Sequence, residues 1–188
     1  MSNYKAQMKG ADRVVTGLVR LSFCYLFEPR QNDDGSQGKY ECCLLIKKSD
    51  KSTLDCINKA TEAAKARGLR EKWANKLPKN MILPLHDGDE KSEYEGFEDC
   101  YYINAKSTKK PGLVDKNIAP ILDREEIYPG CYAIAAISFY PFNKGSNGIG
   151  VSIDNIMKVK DGEHLDGGKP AADNDFSGIE IDDDDDDL

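Results

Sequence analysis

The sequence predicts a mainly β domain, a small and strongly curved barrel of five or six strands with one inserted helix, followed by a disordered acidic tail. Three observations lead to this prediction. Stretches rich in β-branched and aromatic residues recur along the chain, one segment has helical spacing, and the end of the chain is rich in Gly, Asp, Pro and Ala. A length of 188 residues suits one such domain, at 1–168, with the tail at 169–188.

The first predicted strand covers residues 13–27, which are rich in β-branched and aromatic residues and have no helical stripe. Gly17 is a natural place for this long strand to bend. Residues 28–38 are rich in turn formers, and a second strand follows at 39–48 with alternate apolar residues on one face. These two strands are therefore expected to pair as a hairpin.

The predicted helix covers residues 49–68, where apolar residues and alanines recur at helical spacing. Ser49 or Asp50 can cap its first turn, and Gly68 is expected to end it. A short basic turn follows, and residues 81–99 then form an irregular, acidic loop. Loops of that length in compact domains are often functional.

Further strands are predicted after this loop. The first covers residues 100–107 and leads through a Pro-Gly turn to a short extended segment at 113–115. Two long strands, at 131–143 and 148–160, are joined by the loop 144–147 and are expected to form a hairpin. Five or six strands with one helix after the second fit an OB-fold, and other small barrels or half-open sandwiches fit nearly as well.

The net charge of −7 comes from the tail. Nine of the 33 Asp and Glu residues lie after residue 170 with no base among them, which leaves 24 acids against 26 Lys and Arg in the rest of the chain. A net-positive body can attract a polyanion even when the total charge is negative. The chain shows neither a signal peptide nor the roughly 18 apolar residues of a membrane span, so we expect it in the cytoplasm.

The cysteines lie in apolar segments and lack the close pairing of a metal site. In a reducing cytoplasm they are expected to be buried free thiols. The two histidines stand far from any cysteine pair, so we assign no metal and no cofactor. The six cysteines are Cys24, Cys42, Cys43, Cys56, Cys100 and Cys131.

Aromatic residues on the predicted strands alternate with nearby Lys and Arg residues, a combination suited to binding single-stranded nucleic acid. Flat rings stack on unpaired bases, while Lys and Arg neutralise the sugar-phosphate chain. Neighbouring rings on a strand point to opposite faces, so about half of them can belong to the core. A lone tryptophan such as Trp73 is more typical of a packing anchor than of a base platform. The residues predicted to contact DNA are Tyr25, Phe27, Tyr40, Arg70, Trp73, Tyr102, Lys106, Lys109, Lys110, Lys116, Tyr140, Phe142 and Lys144.

Asp87, Asp89 and Glu90 form the one constellation that suggests catalysis. Carboxylates this close together could hold Mg²⁺ for phosphodiester hydrolysis, which would make the protein a nuclease or DNA-processing factor. No general base accompanies them, and an exposed turn carries acidic residues for solubility alone. The nuclease is therefore kept as the alternative to a non-enzymatic binding protein.

Six stretches of the body follow one another between about residues 12 and 168: TGLVRLSFCYLFEP, YECCLLIKKSD, PLHDGDE, YYINAKSTKKPGLVD, ILDREEIYPGCYAIAAISFYPFN and GIGVSIDNIMKVKDGEHLDG. Together they resemble the phage-encoded single-stranded DNA-binding proteins once grouped as a domain of unknown function. The resemblance implies an OB-fold that binds single-stranded DNA, and duplex DNA more weakly, in phage replication or recombination inside a bacterial host. The number of cysteines is a departure from the family.

The resemblance also implies an acidic C-terminal tail, which here ends in Asp182, Asp183, Asp184, Asp185, Asp186, Asp187 and Leu188. A flexible polyanion tethered to a body of about +2 charge is expected to compete for the DNA groove. Its apolar end is expected to recruit replication or recombination proteins. The simpler interpretations are a solubilising brush, or an acidic-tailed chaperone or DNA mimic. The oligomeric state is left open.

Overall fold

The structure is a computed structural model that describes residues 4–165. Nine strands and one α-helix make up the regular structure of these residues. They are β1 (Gln7–Met8), β2 (Arg13–Val15), β3 (Val19–Tyr25), β4 (Tyr40–Lys47), α1 (Lys51–Glu71), β5 (His86–Asp87), β6 (Cys100–Ser107), β7 (Gly112–Val114), β8 (Tyr132–Phe142) and β9 (Gly148–Lys160).

Five of the strands close into a barrel in the order β3-β4-β6-β9-β8, with β8 pairing back onto β3. Neighbouring barrel strands are antiparallel except β6 and β9, which run parallel where Lys106 lies opposite Ser152. The short strands β1, β2, β5 and β7 extend the sheet at its margins. This is the topology of an OB-fold, so the prediction of a mainly β curved barrel with one helix is confirmed.

The predicted first strand is in fact two strands, β2 and β3, separated by a bend at Gly17. The Gly17 amide donates to Thr53 Oγ1 at 2.9 Å, in the first turn of the helix. A Cβ at this position would lie 2.6 Å from the Tyr4 carbonyl oxygen. Glycine is therefore needed here because the chain passes so closely between the N-terminal segment and the helix.

The helix begins where the sequence predicts, since Asp50 caps α1 by accepting from the Thr53 amide at 3.1 Å. The predicted end at Gly68 is wrong, because α1 continues to Glu71. Gly68 is buried, and a Cβ there would lie 2.5 Å from the Trp73 ring. The glycine therefore allows close packing of Trp73 instead of terminating the helix.

The core fills the barrel with alternate residues of its strands, among them Leu44, Ile103 and Phe139, each at most 1% exposed. Leu54 and Ile57 on the buried face of α1 join the same cluster. None of the helical segments within 4–165 is long and apolar enough to cross a membrane.

All six cysteines are free, and three of them, Cys42, Cys43 and Cys131, are buried. Burial raises the pKa of Cys43 to about 12 and that of Cys131 to about 11. These thiols stay protonated at neutral pH, as expected of small core hydrophobes. Cys24, Cys56 and Cys100 are only half-buried, so the prediction of burial is wrong for these three.

The predicted domain boundary at 168 and the tail at 169–188 lie outside the described residues.

Candidate nucleic-acid interface

The outer face of β4 and β6 forms a concave surface that continues onto β3 and β8. On it Glu41 lies opposite Lys106, and Cys43 lies opposite Asn104. Three open cavities of about 390, 500 and 240 Å³ adjoin here, and Asn104 lines all three. We call this surface the groove and define it by Phe23, Tyr25, Arg30, Lys39, Tyr94, Tyr102, Asn104, Lys106 and Tyr140.

The exposed Phe and Tyr side chains of residues 4–165 all lie in the groove. There are four of them: Phe23 at 46%, Tyr94 at 44%, Tyr25 at 39% and Tyr140 at 37% exposed. Each of them lines one of the three cavities. Exposed rings that are collected on one face, and not scattered, indicate a binding surface.

A β-bulge in β3 turns Phe23 toward the groove. The pairing of β3 with β4 shifts register between Ser22 and Tyr25, and Phe23 has a left-handed backbone with φ of 48°. Its ring meets the Tyr94 ring edge-on at 5.4 Å between centroids. A non-glycine residue in this region of φ is strained by about 1–3 kcal/mol, a cost that is commonly found at functional sites.

Tyr102 contacts two other rings in the groove. Because β5 pairs with β6, His86 lies opposite Tyr102, and the two rings stack at 5.1 Å between centroids. The buried Phe97 ring lies 5.2 Å away, tilted against it. These two contacts restrict the orientation of the Tyr102 ring.

Glu41 organises the basic side chains of the groove. Its carboxylate accepts from Arg30 Nη1 at 3.0 Å and pairs with Lys106 Nζ at 3.6 Å. The Arg30 guanidinium also lies over the Tyr25 ring at 5.8 Å. Arg30, Lys39 and Lys106 together line a further cavity of about 590 Å³. Glu41 and Asp33 line the same cavity, so this end of the groove near the β3–β4 loop has three basic side chains against two acidic ones.

Five of the residues predicted to contact DNA line these cavities. They are Tyr25, Tyr102, Lys106, Tyr140 and Phe142. Phe27 and the Lys109–Lys110 pair lie beyond the rim, with Lys110 Nζ over the Phe27 ring at 5.5 Å. The other predicted contacts, Tyr40, Arg70, Lys116 and Lys144, line none of the groove cavities.

The prediction that Trp73 contacts DNA does not agree with its position. The side chain is 7% exposed and belongs to the barrel core, with its ring against Gly68. Its Nε1–H donates to the Phe142 carbonyl oxygen at 3.3 Å. A ring covered in this way has no free face for a base, so we leave Trp73 out of the interface.

Several groove residues were missed by the sequence prediction. They are Phe23, Arg30, Lys39, His86, Lys91, Tyr94 and Asn104. In place of Lys39 the prediction named its neighbour Tyr40. Alternation from Tyr25 could have identified Phe23, because the two residues lie on the same face of β3 and line the same cavity. Tyr94 was missed because it lies between Glu93 and Glu95 in the segment predicted only as an irregular, acidic loop.

Two of the three carboxylates proposed as a metal site are engaged by a lysine. Lys48 Nζ lies 2.8 Å from Asp87 Oδ1 and 2.6 Å from Asp89 Oδ2, and these hydrogen bonds hold the pKa of both aspartates below the usual range. Asp87 also caps the 3₁₀ turn Gly88–Lys91, and Asp89 accepts from the Asp99 amide. Within residues 4–165 no group of His, Cys, Asp or Glu is arranged to hold a metal ion.

A closed five-stranded barrel with this groove places the chain in the class of OB-folds, whose second and third strands commonly carry the oligonucleotide-binding face. In this chain those strands are β4 and β6. The chain belongs to the Enterobacter phage Enc34 single-stranded DNA-binding protein family, whose family model matches residues 12–188.

One similar protein and two solved structures come from phages, and the structures share the fold of this chain. Protein p50 of Acyrthosiphon pisum secondary endosymbiont phage 1 is 30% identical over 173 residues, which is 87% of this chain and 91% of that protein. The single-stranded DNA-binding protein of bacteriophage Enc34, solved in complex with single-stranded DNA, has a TM-score of 0.72 at 22% identity and covers 88% of this chain and 99% of its own. The single-stranded DNA-binding protein gp2.5 of bacteriophage T7 has a TM-score of 0.60 at 17% identity, covering 84% and 97%.

Proposed function

We propose that this protein binds single-stranded DNA without strong sequence preference during phage replication or recombination, in the cytoplasm of the host. The observation that carries the proposal is the collection of four exposed rings in one groove. They are Phe23, Tyr25, Tyr94 and Tyr140, the exposed Phe and Tyr residues of 4–165. Its family membership and the single-stranded DNA bound by the Enc34 protein support it.

The groove suits single strands better than duplexes. In a duplex the base faces are stacked on one another, whereas a single strand can offer each face to a protein ring. Stacking contributes roughly 1–3 kcal/mol per base whatever its identity, because every base has a π-face. Arg30, Lys39 and Lys106 line one cavity of the same groove and can neutralise the phosphates between stacked bases.

We propose no catalytic step for this protein. A phosphodiesterase that uses Asp87 and Asp89 would first have to release both from Lys48, because their hydrogen bonds to it stabilise the charged carboxylates and the lysine together. The contacts of Asp87 and Asp89 with Lys48 instead hold the loop in place at the start of the 3₁₀ turn beside β6. Glu90 is exposed and follows Asp89 in the chain.

Titration of the whole protein with fluorescent oligo-dT at two salt concentrations tests the proposal. We expect binding that weakens steeply with salt. The slope of log K against log salt should be about −2 if Arg30, Lys39 and Lys106 each contact one phosphate of the strand. Adding Mg²⁺ should leave the oligonucleotide full length. The absence of binding at low salt would refute the proposed function, and shortened strands would favour the nuclease.

The acidic tail is proposed to compete with DNA for the groove and to recruit partner proteins. Deleting residues 171–188 removes nine negative charges from the chain and is expected to raise the affinity for single-stranded DNA, most clearly at low salt. A variant with the six terminal aspartates changed to asparagine keeps the length of the tail and isolates its charge. Unchanged or lower affinity in both variants would contradict the competition.

A further inference from the structure

A group of lysines follows the C-terminal end of α1, outside the groove. Lys72, Lys76 and Lys79 are exposed and line an open cavity of about 430 Å³ together with Trp73, Asn143 and Asn147. None of these three ammonium groups makes an ion pair within the described part of the chain. We call this surface the lysine patch. Three unpaired ammonium groups around one cavity attract a polyanion.

The lysine patch and the groove share a wall. Phe142 lines a groove cavity, its carbonyl oxygen accepts from Trp73 Nε1 at 3.3 Å, and the next residue, Asn143, lines the patch. Asn143 Nδ2 donates to the Lys72 carbonyl oxygen at 3.1 Å. A polymer that lies in the groove along Phe142 therefore needs to cross only the C-terminal end of β8 to reach the lysine patch.

A second contact joins the two surfaces on the other side. Ile82 lines the groove, and its amide donates to the carbonyl oxygen of Asn147, which lines the patch, at 2.9 Å. The β8–β9 loop and its flanking residues therefore border both cavities. In OB-folds this loop commonly contacts oligonucleotides, so a strand bound in the groove is expected to pass next to the lysine patch.

The backbone that carries the patch is built as a defined turn. Ala74 and Asn75 have left-handed φ values of 49° and 59°. The Asn75 amide donates to the Leu69 carbonyl oxygen at 2.7 Å, and the Lys76 amide donates to the Trp73 carbonyl oxygen at 3.0 Å. These contacts hold the backbone of the lysines around the buried Trp73, so the three side chains start from fixed places beside one cavity.

We infer that Lys72, Lys76 and Lys79 form a second binding site, which holds the phosphate backbone of single-stranded DNA as the strand leaves the groove. The inference rests on the proposed function. The patch has no exposed ring, so it can neutralise phosphates without stacking bases. DNA is favoured as the polyanion because a strand in the groove continues past Phe142. The site therefore lengthens the stretch of DNA that one molecule covers.

The experiment compares a short oligo-dT of about 6 nucleotides with a long one of about 16, which bracket the site sizes of single OB-folds. The test variant is Lys72→Gln/Lys76→Gln/Lys79→Gln in the full chain. Native mass spectrometry selects complexes with one protein per strand. The matched control is Lys5→Gln/Lys9→Gln/Lys59→Gln, three exposed lysines that line no groove or patch cavity.

We expect the test variant to bind the short strand as the wild type does, and to lose its extra affinity for the long strand. Its salt slope for the long strand should become shallower by about 2, since three phosphate contacts on a single strand are lost. The control should change neither strand's binding by a comparable amount. Both variants should keep the wild-type melting temperature, because exposed lysines contribute little to stability.

Equal loss on both strands, or no loss on either, would overturn the inference and leave the proposed function standing. Tighter binding of the long strand by the test variant would mean that the patch holds the acidic tail instead of DNA, which also overturns it. If the wild type binds neither strand at low salt, the proposed function and the inference fall together.

Discussion

Phe23→Ala is expected to weaken the binding of single-stranded DNA by about 5- to 150-fold, which corresponds to the roughly 1–3 kcal/mol of one stacked base. Phe23 is the most exposed of the Phe and Tyr residues in 4–165, and its ring contacts Tyr94 where two groove cavities meet. Fluorescence titration with oligo-dT at fixed salt measures the change.

Alanine is the informative substitution at this position. It keeps a Cβ and therefore leaves the left-handed backbone of the bulge as unfavourable as before, whereas glycine would relieve it and change two properties at once. Because the ring is half exposed, we expect a small change in melting temperature. The affinity loss can then be assigned to the missing ring and not to partial unfolding.

Two matched variants complete the test. Phe23→Tyr keeps a ring and should bind nearly as tightly as the wild type. Leu122→Ala removes a side chain that is 87% exposed and lines none of the cavities, and it should leave affinity unchanged. If Phe23→Ala binds oligo-dT as the wild type does, Phe23 does not stack on a base.

Trp73→Ala is expected to lower the free energy of unfolding by about 3–5 kcal/mol, as is typical when a buried aromatic is truncated. The ring lies against Gly68, so its removal opens a cavity between α1 and β8. It also leaves the Phe142 carbonyl oxygen without its Nε1–H donor. Urea denaturation followed by circular dichroism measures the loss.

The same variant separates packing from stacking. Trp73→Ala that is folded at low temperature should bind a short oligo-dT with wild-type affinity, because the buried ring lines no groove cavity. Trp73→Phe keeps most of the ring volume and loses the hydrogen bond, worth about 1 kcal/mol. A small change in stability together with a large loss of affinity would restore Trp73 to the interface.

Local patterns predicted most of the elements correctly. Alternation in 39–48 and 148–160 predicted β4 and β9, and the Asp50 cap predicted the start of α1, because each depends on neighbours a few residues away. The end of α1 was predicted wrongly for the same reason. Gly68 is typical of a residue that ends a helix. Only the structure shows that it is a glycine because the Trp73 ring packs against it.

The candidate site was predicted only in part. Tyr25, Tyr102 and Tyr140 could be named because aromatic residues on strands are visible in the sequence and half of them must face outward. Alternation puts Phe23 on the same face as Tyr25, so it could have been named too. That this face is the outer one depends on the one-residue bulge between Ser22 and Tyr25, which the residue types do not show. The position of Tyr94 depends on how the irregular loop folds over β6.

By itself the sequence determined a β-rich body with one helix, a basic surplus in that body and a supply of rings and lysines on the strands. Only the tertiary structure decided which rings act together. Phe23, Tyr94 and Tyr140 lie far apart in the chain, and closure of β8 onto β3 and β9 brings them to one face. Periodicity records which side of a strand a residue occupies, whereas a shared groove depends on strand order and register, which are set by packing between distant segments.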